Sequence, residues 1–411
     1  MALIVQKYGG TSLSSVEKIR WAAAHLVRTK EAGNDVVAVV SAMAGETDRL
    51  YEMCLEVMDP PDSRELDVIT SSGEQVSSGL ISMAVRALGH DAVSFQGHQV
   101  RILTDDSYSN ARIMDIDAVR IREAMGCGKI VVVAGFQGVD SGGNITTLGR
   151  GGSDLTAVAL AAVLGADACE LYKDDVDGVY TADPGVVADA RKLRRVSYEE
   201  MLELSSLGSR VLQGRAVEFA KKFGVPVQIR STIEPEREGT WVIEEQSAMV
   251  ALEQMLISGV TFDNNQSKIT AIKVPDRPGI ASRLFTLISD EDIVVDMIVQ
   301  NVSTEGYTDI TFTVSRTDFK KALGITERVA GELGASGVMS DKKIAKLSIV
   351  GVGMKTHSGV ASEMFRVLAA EGINILMIST SEIKISCVVE EKYSKLAVRA
   401  LHEAFGLGEA K

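Results

Sequence analysis

The sequence predicts an α/β protein: a mainly parallel sheet sandwiched by helices, followed by two smaller βαββαβ modules. Three observations carry this. Short runs of consecutive apolar residues, the mark of strands buried on both faces, alternate with amphipathic stretches of helical spacing through residue 230. A lysine and a glycine pair directly follow the first run. Beyond residue 265, matching residues recur in one unbroken frame at an offset of 80.

The first run, Ala2-Leu3-Ile4-Val5, reads as a buried strand that delivers Lys7 to its carboxyl end. Gly9 and Gly10 then let the backbone turn and approach a ligand without Cβ clashes. Ser14-Ser15-Val16-Glu17 is a Ser-x-x-Glu capping box opening a helix, with Val16, Ile19, Ala23, Leu26 and Val27 on one face. Strand, cation, glycines and helix N-terminus in that order make a phosphate cradle. The plainer reading is a βα turn with two glycines. The stretch is neither a Walker A loop nor a Gly-x-Gly-x-x-Gly fingerprint.

With 411 residues, 45% of them hydrophobic and 24% charged, the chain can form two or three well-cored domains. A net charge of −13 argues against nucleic acid or an anionic membrane surface as partner. No apolar run reaches the ~18 residues of a membrane helix. Met1 leads straight into the first strand without a basic leader, so a soluble, cytoplasmic protein is expected. Cys54, Cys127, Cys169 and Cys387 are scattered without metal-ligand spacing; packed, reduced thiols and no metal site are predicted.

Along the chain, Asp35–Val40 is a second strand, ending at Ser41-Ala42-Met43-Ala44-Gly45-Glu46-Thr47. Hydroxyls at that end of a parallel strand lie where open sheets bind ligands. Ser71-Ser72-Gly73-Glu74 opens a helix, with Glu74 either a dipole partner or a ligand group. Lys129–Ala134 is the clearest parallel strand. After it, Gly149-Arg150-Gly151-Gly152-Ser153-Asp154 precedes a helix capped by Ser153 or Asp154. It is either a second anion site, with a planar guanidinium fork for a carboxylate, or a glycine-rich surface loop.

The strand Ala168–Tyr172 runs into Lys173-Asp174-Asp175-Val176-Asp177-Gly178-Val179-Tyr180, rich in turn residues. Carboxylates there suit either turns or Mg²⁺. Tyr180 reads equally as an adenine cover or as core. Residues 202–223 read as one helix loosened at Gly208, and 225–230 as a further strand.

A polar stretch from Glu234 to about Ser247 marks the domain boundary. Beyond it Gly279 matches Gly359, Phe285 Phe365, Ile293 Ile373, Met297 Met377 and Ile298 Ile378. The expected divisions are 1–245, a linker at 246–264, and modules at 265–341 and 342–411.

Lys7-Tyr8-Gly9-Gly10-Thr11-Ser12 resembles the opening motif of aspartate kinases, within the amino-acid kinase superfamily. Ser41-Ala42-Met43, Ser72-Gly73-Glu74, Thr147–Asp154 and the Asp-Val-Asp-Gly-Val-Tyr180 run are similar to that family too. Asp276-Arg277-Pro278-Gly279-Ile280 resembles the ligand turn of ACT domains; the second copy has Thr356-His357-Ser358-Gly359-Val360 and no proline.

The resemblance implies an amino-acid kinase fold with tandem ACT modules. Its implied reaction is phosphorylation of L-aspartate by ATP with Mg²⁺. Lys7, Gly9, Gly10, Ser41, Lys173, Asp174 and Tyr180 would serve ATP. Thr47, Glu74, Arg150, Ser153 and Asp154 would serve aspartate, with Lys7, Glu74 and Arg150 the catalytic set. Lysine and/or threonine would act at Asp276, Gly279, Ile280, Gln300, Asn301, Asn374, Ile375 and Ser381, and pairing of ACT modules would give a homodimer or larger assembly. In some relatives a regulatory half starts internally, for which Met249 is suitably placed. Three departures stand out: Lys173-Asp174 where the family has one residue, Gly185 for an arginine, and Gly214 for a larger side chain.

No histidine or paired-carboxylate base is required, because an aspartate side chain (pKa about 3.9) is already ionised at pH 7. Repulsion between two anions is the obstacle. Two rivals are a kinase of another acidic amino acid, such as glutamate or N-acetylglutamate, and an amino-acid sensor with an inactive kinase domain.

Overall fold

The computed structural model describes residues 1–206, 211–244, 257–301, 306–355 and 359–408. Gly208, Met249 and Thr356-His357-Ser358 lie outside them. The described residues form two compact units, one of 1–179 with 192–244, the other of 180–191 with 257–408.

In the first unit the apolar runs become strands. They are β1 Leu3–Tyr8, β2 Asp35–Val40, β3 Ala92–Phe95, β4 Ile102–Thr104, β5 Ile113–Ile116 and β6 Ile130–Ala134. Then follow β7 Gln137–Val139, β8 Ile145–Thr147, β9 Ala168–Lys173, β10 Arg195–Ser197, β11 Val227–Ser231 and β12 Thr240–Ile243. The main sheet has the order β10-β12-β11-β9-β1-β2-β6-β3, and all its pairs are parallel except β11 with β12. A small sheet, β5-β4-β7-β8, stands beside it. The helices are α1 Val16–Glu31, α2 Glu46–Val57, α3 Ser63–Thr70, α4 Ser72–Ala87, α5 Val119–Gly126, α6 Gly152–Leu164, α7 Tyr198–Ser206 and α8 Gly214–Phe223.

Helix α1 buries Ile19, Ala22, Ala23, Leu26 and Val27 against Val36, Ala38 and Val40 of β2 and Ile81 and Val85 of α4. Truncating a core leucine such as Leu26 to alanine costs about 2–5 kcal/mol. Val16 is exposed, contrary to expectation. A 3₁₀ turn, Thr11–Leu13, follows the glycines, and Ser15 rather than Ser14 caps the helix by accepting from Lys18 N at 3.3 Å. The expected single helix over 202–223 is two helices, with Gln213 the N-cap residue of α8. Of the cysteines, three are buried and Cys127 is exposed; all are free.

The second unit holds one six-stranded sheet of order β14-β15-β13-β16-β18-β17. Its strands are β13 Gly259–Pro275, β14 Val295–Gln300, β15 Tyr307–Ser315, β16 Gly337–Val350, β17 Met377–Thr380 and β18 Lys384–Glu390. The 80-residue repeat is real in three dimensions. Gly279 (φ 93°) and Gly359 (φ 103°) each lead into a helix, Ile280–Ser289 and Val360–Ala370. Met297 and Met377 are buried in one cluster with Ile344 and Val388.

Two expected boundaries are corrected here. Gly259–Asp263, part of the expected linker, pairs antiparallel with Lys346–Val350, so the strand completing the second module precedes the first module in sequence. Residues 180–191, expected inside the kinase domain, join the second module's core through Ala182, Val186, Val187 and Ala190. Thr181 anchors them, its N donating to Arg191 O at 2.9 Å and its O accepting from Val260 N at 2.7 Å.

Candidate active site

Open parallel sheets bind ligands beyond the carboxyl ends of their strands. At those ends here stand Gly9-Gly10 after β1, Ser41 after β2, Gly135 after β6 and Lys173 closing β9. A Cβ on Gly10 would sit 2.9 Å from Ala42 O, so only glycine lets the first loop lie against the second. Ser41 N donates to Tyr8 O at 3.1 Å and Ala44 N to Gly10 O at 3.1 Å, which fastens the two loops together.

Side chains alternate along a strand, so Lys7 and Lys173 share one face of β1 and β9. There they meet Asp154, in the first turn of α6. Lys7 Nζ is 2.6 Å from Asp154 Oδ1, and Lys173 Nζ is 3.2 Å from Oδ2. Burial alone would raise the Asp154 carboxyl, but the Lys173 and Lys7 ammoniums hold it at about 2. Burial lowers the pKa of Lys7, with Asp154 opposing. Two ammoniums around one carboxylate leave an excess positive charge in a nearly dry site. The expected capping role of Ser153 or Asp154 is corrected: Gly151 (φ 73°) occupies the N-cap, and both residues lie inside the helix.

Glu74, in the first turn of α4, is 3% exposed. Its Oε1 accepts from Ala42 N at 2.9 Å. Its Oε2 is buried without a partner among the described residues. Burial lifts its carboxyl to about 7. The carboxylate thus ties the start of α4 to the loop after β2.

The remaining candidates fall as follows. Ser41 and Thr47 are half-buried, and Ser153 is buried against Gly135. Arg150 is exposed and its guanidinium has no partner among the described residues. Asp174 turns away from Lys173 to bond Lys18 and Thr232, clamping the start of α1 to the end of β11. Tyr180 belongs to the other unit, its half-buried side chain packed against the second module's core. Asp177 is paired with Lys192 at 3.1 Å, and Asp183 caps its own turn through Gly185 N at 2.8 Å.

In the second unit, Asp276, Gly279, Ile280, Gln300 and Asn301 gather at one end of the first module's sheet, where Asp276 N donates to Gly306 O at 2.8 Å. Ser381 stands at the corresponding end of the second module, its N donating to Lys384 O at 2.8 Å. Asn374 and Ile375 precede β17 and lie at the opposite end from Ser381.

Residues that the sequence did not flag also shape the site. Asp67, buried in α3, accepts from Thr147 N at 2.7 Å, Thr147 Oγ1 at 2.8 Å and Ser109 N at 2.9 Å. Gln213 and Arg215 reach the same loop from the start of α8. Their partners are far apart in sequence, and no local pattern announces such contacts.

The comparisons agree with this architecture. The amino acid kinase family profile matches residues 2–231, and ACT domain profiles match 268–331 and 347–405. The chain therefore belongs to the amino acid kinase family and carries two ACT domains behind its kinase domain. It is 56% identical to an aspartate kinase of Pseudomonas putida over 408 residues, 99% of this chain and 98% of that protein. Among solved structures, an aspartate kinase from Synechocystis is 41% identical with TM-score 0.55, covering 100% of this chain and 70% of that one. Aspartokinase III of E. coli in complex with aspartate and ADP (R-state) shares the fold, with TM-score 0.79 at 24% identity over 98% of this chain and 99% of that one. Within the family, the chain is an aspartate kinase.

Proposed function

We propose that the enzyme transfers the γ-phosphoryl group of ATP, supplied as its Mg²⁺ complex, to the side-chain carboxylate of L-aspartate. The products are 4-phospho-L-aspartate and ADP. The observation that carries this is the buried Lys7–Asp154–Lys173 set beside the glycine loop. Its excess positive charge suits a triphosphate, while the nucleophile is an anion needing no base. Catalysis then rests on alignment and charge neutralisation by Lys7, Lys173 and the Gly9-Gly10 amides, with Ser41 near the phosphates. Mg²⁺, arriving with the nucleotide, would neutralise further phosphate charge.

The acceptor is selected as a zwitterion. Glu74 Oε2 meets its ammonium, the Arg150 fork meets its α-carboxylate, and Thr47 and Ser153 supply hydroxyls. Asp154 holds both lysines in place. Lysine and/or threonine act at the ACT modules through Asp276, Gly279, Ile280, Gln300, Asn301, Asn374, Ile375 and Ser381. The E. coli enzyme solved with lysine and aspartate is in its T-state, which supports an effector that prefers one arrangement. Modules paired between chains make a homodimer or larger assembly, in the cytoplasm. Coupled ADP detection with a panel of acidic amino acids tests the reaction. ADP release that requires aspartate is expected, and release with glutamate or N-acetylglutamate in its place contradicts it. Inhibition curves that move with neither lysine nor threonine would reject the regulatory part.

A further inference from the structure

Arg150 poses a problem of placement. Its side chain has no partner among the described residues, so only its backbone fixes where the guanidinium starts from. That backbone is held from both sides. On one side Asp67 grips Thr147, and Ala111 N donates to Thr147 O at 2.9 Å. On the other, Arg215 NH1 donates to Leu148 O at 2.8 Å and to Asn110 Oδ1 at 3.0 Å, while its NH2 donates to Ala111 O at 2.8 Å. Gln213 Nε2 donates to Arg150 O itself at 2.7 Å. Gly149 (φ 78°) and Gly151 (φ 73°) flank Arg150 in the left-handed region. Glycines leave a loop free to take other shapes, so external bonds must choose one.

We infer that Arg215 and Gln213 are positioning residues for the amino-acid substrate, setting the loop 148–151 so that Arg150 presents its fork to the substrate α-carboxylate. Neither side chain touches the Lys7–Asp154–Lys173 set, so the effect falls on the amino acid and spares ATP. Arg215 suits the task because its planar fork spans two carbonyls and an amide oxygen at once, which a lysine cannot do. The inference rests on the proposed role of Arg150, and small misplacements of such a clamp cost up to about 10²-fold.

The test is steady-state kinetics on the full chain with Arg150→Lys, Arg215→Ala, Gln213→Ala and the double variant Arg150→Lys/Arg215→Ala. Arg215→Ala is expected to raise the KM for aspartate about tenfold and Gln213→Ala about threefold, with the KM for ATP within about twofold. Gln213→Ala loses a single bond from a half-buried side chain, which keeps the test available if Arg215→Ala does not fold. In the double variant the aspartate KM should stay within about twofold of Arg150→Lys alone, because the residues act through one another. Multiplying effects in the double variant, or both KM values rising together, overturn the inference. If Arg150→Lys raises the aspartate KM and neither Arg215→Ala nor Gln213→Ala does, the positioning role alone is wrong. If Arg150→Lys leaves it unchanged, the role of Arg150 fails and takes the positioning role with it.

Discussion

Strands β1 and β9 present two different chemistries on their two faces. The face toward α1 carries Gln6, Tyr8, Glu170 and Tyr172, and the face toward α6 carries Lys7 and Lys173. On the α1 face the buried charges are matched. Glu170 accepts from Gln6 at 2.7 Å and Tyr172 at 3.0 Å and pairs with Arg230 at 3.1 Å. Tyr8 OH bonds His25 Nδ1 at 2.9 Å and Gln6 Oε1 at 3.1 Å, and the Tyr8 and Tyr172 rings stack with centroids 5.3 Å apart. Burial lowers His25 to about 4, so it is neutral at pH 7. One carboxylate there meets one guanidinium. On the α6 face one carboxylate meets two ammoniums. Both faces are buried and polar, so burial of polar groups does not mark the site. An uncompensated charge does.

The largest expected effect comes from the charged face. Lys7→Ala should lower kcat by roughly 10²-fold or more, by analogy with losing one preorganised donor. A near-wild-type kcat in a stopped assay would erase the distinction between the faces. Lys173→Met should lower kcat/KM for ATP by about tenfold, less than Lys7, because its longer contact with Asp154 leaves it a secondary cation. An unchanged value would leave Lys7 as the sole working charge.

The next effect is pH-dependent. Glu74 is lifted from 4.5 to about 7, so the folded chain holds that proton more tightly than the unfolded chain does. Charging it therefore costs stability as pH rises from 4.5 to about 7, and a substrate ammonium relieves that cost. Aspartate should bind more tightly at pH 8 than at pH 6, read as its KM, and Glu74→Gln should flatten the profile. A profile identical in the variant would remove Glu74 from substrate binding. The smallest effect belongs to the matched face. Tyr8→Phe should destabilise by about 1 kcal/mol in urea denaturation, the value of a typical hydrogen bond, with kcat within about threefold. A large loss of kcat would show that this face also takes part in the chemistry.

Much of the fold was legible because periodicity is local. Consecutive apolar residues in β2 and β6 announced buried parallel strands, and the match of Gly279 to Gly359 announced the repeated module. Lys7, the glycine loop and Glu74 were legible as pieces of a motif. Their relation through Asp154 was not, since contacts between a first strand and a helix start far downstream leave no short-range signature. The packing of Tyr180 was not legible for a related reason. An aromatic residue after a turn says nothing about which unit will bury it, and Ala182, Val186 and Val187 drew the segment into the second module's core. The strand Gly259–Asp263 read as linker because its pairing partner, Lys346–Val350, lies beyond the whole first module.

A crystal structure with a non-hydrolysable ATP analogue, Mg²⁺ and aspartate gives the plainest test. The ammoniums of Lys7 and Lys173 should both lie within about 3 Å of phosphate oxygens, the reach of a charged hydrogen bond, with the acceptor carboxylate in line with the terminal phosphorus. A triphosphate bound away from both lysines, with Asp154 still neutralising them, would contradict the account.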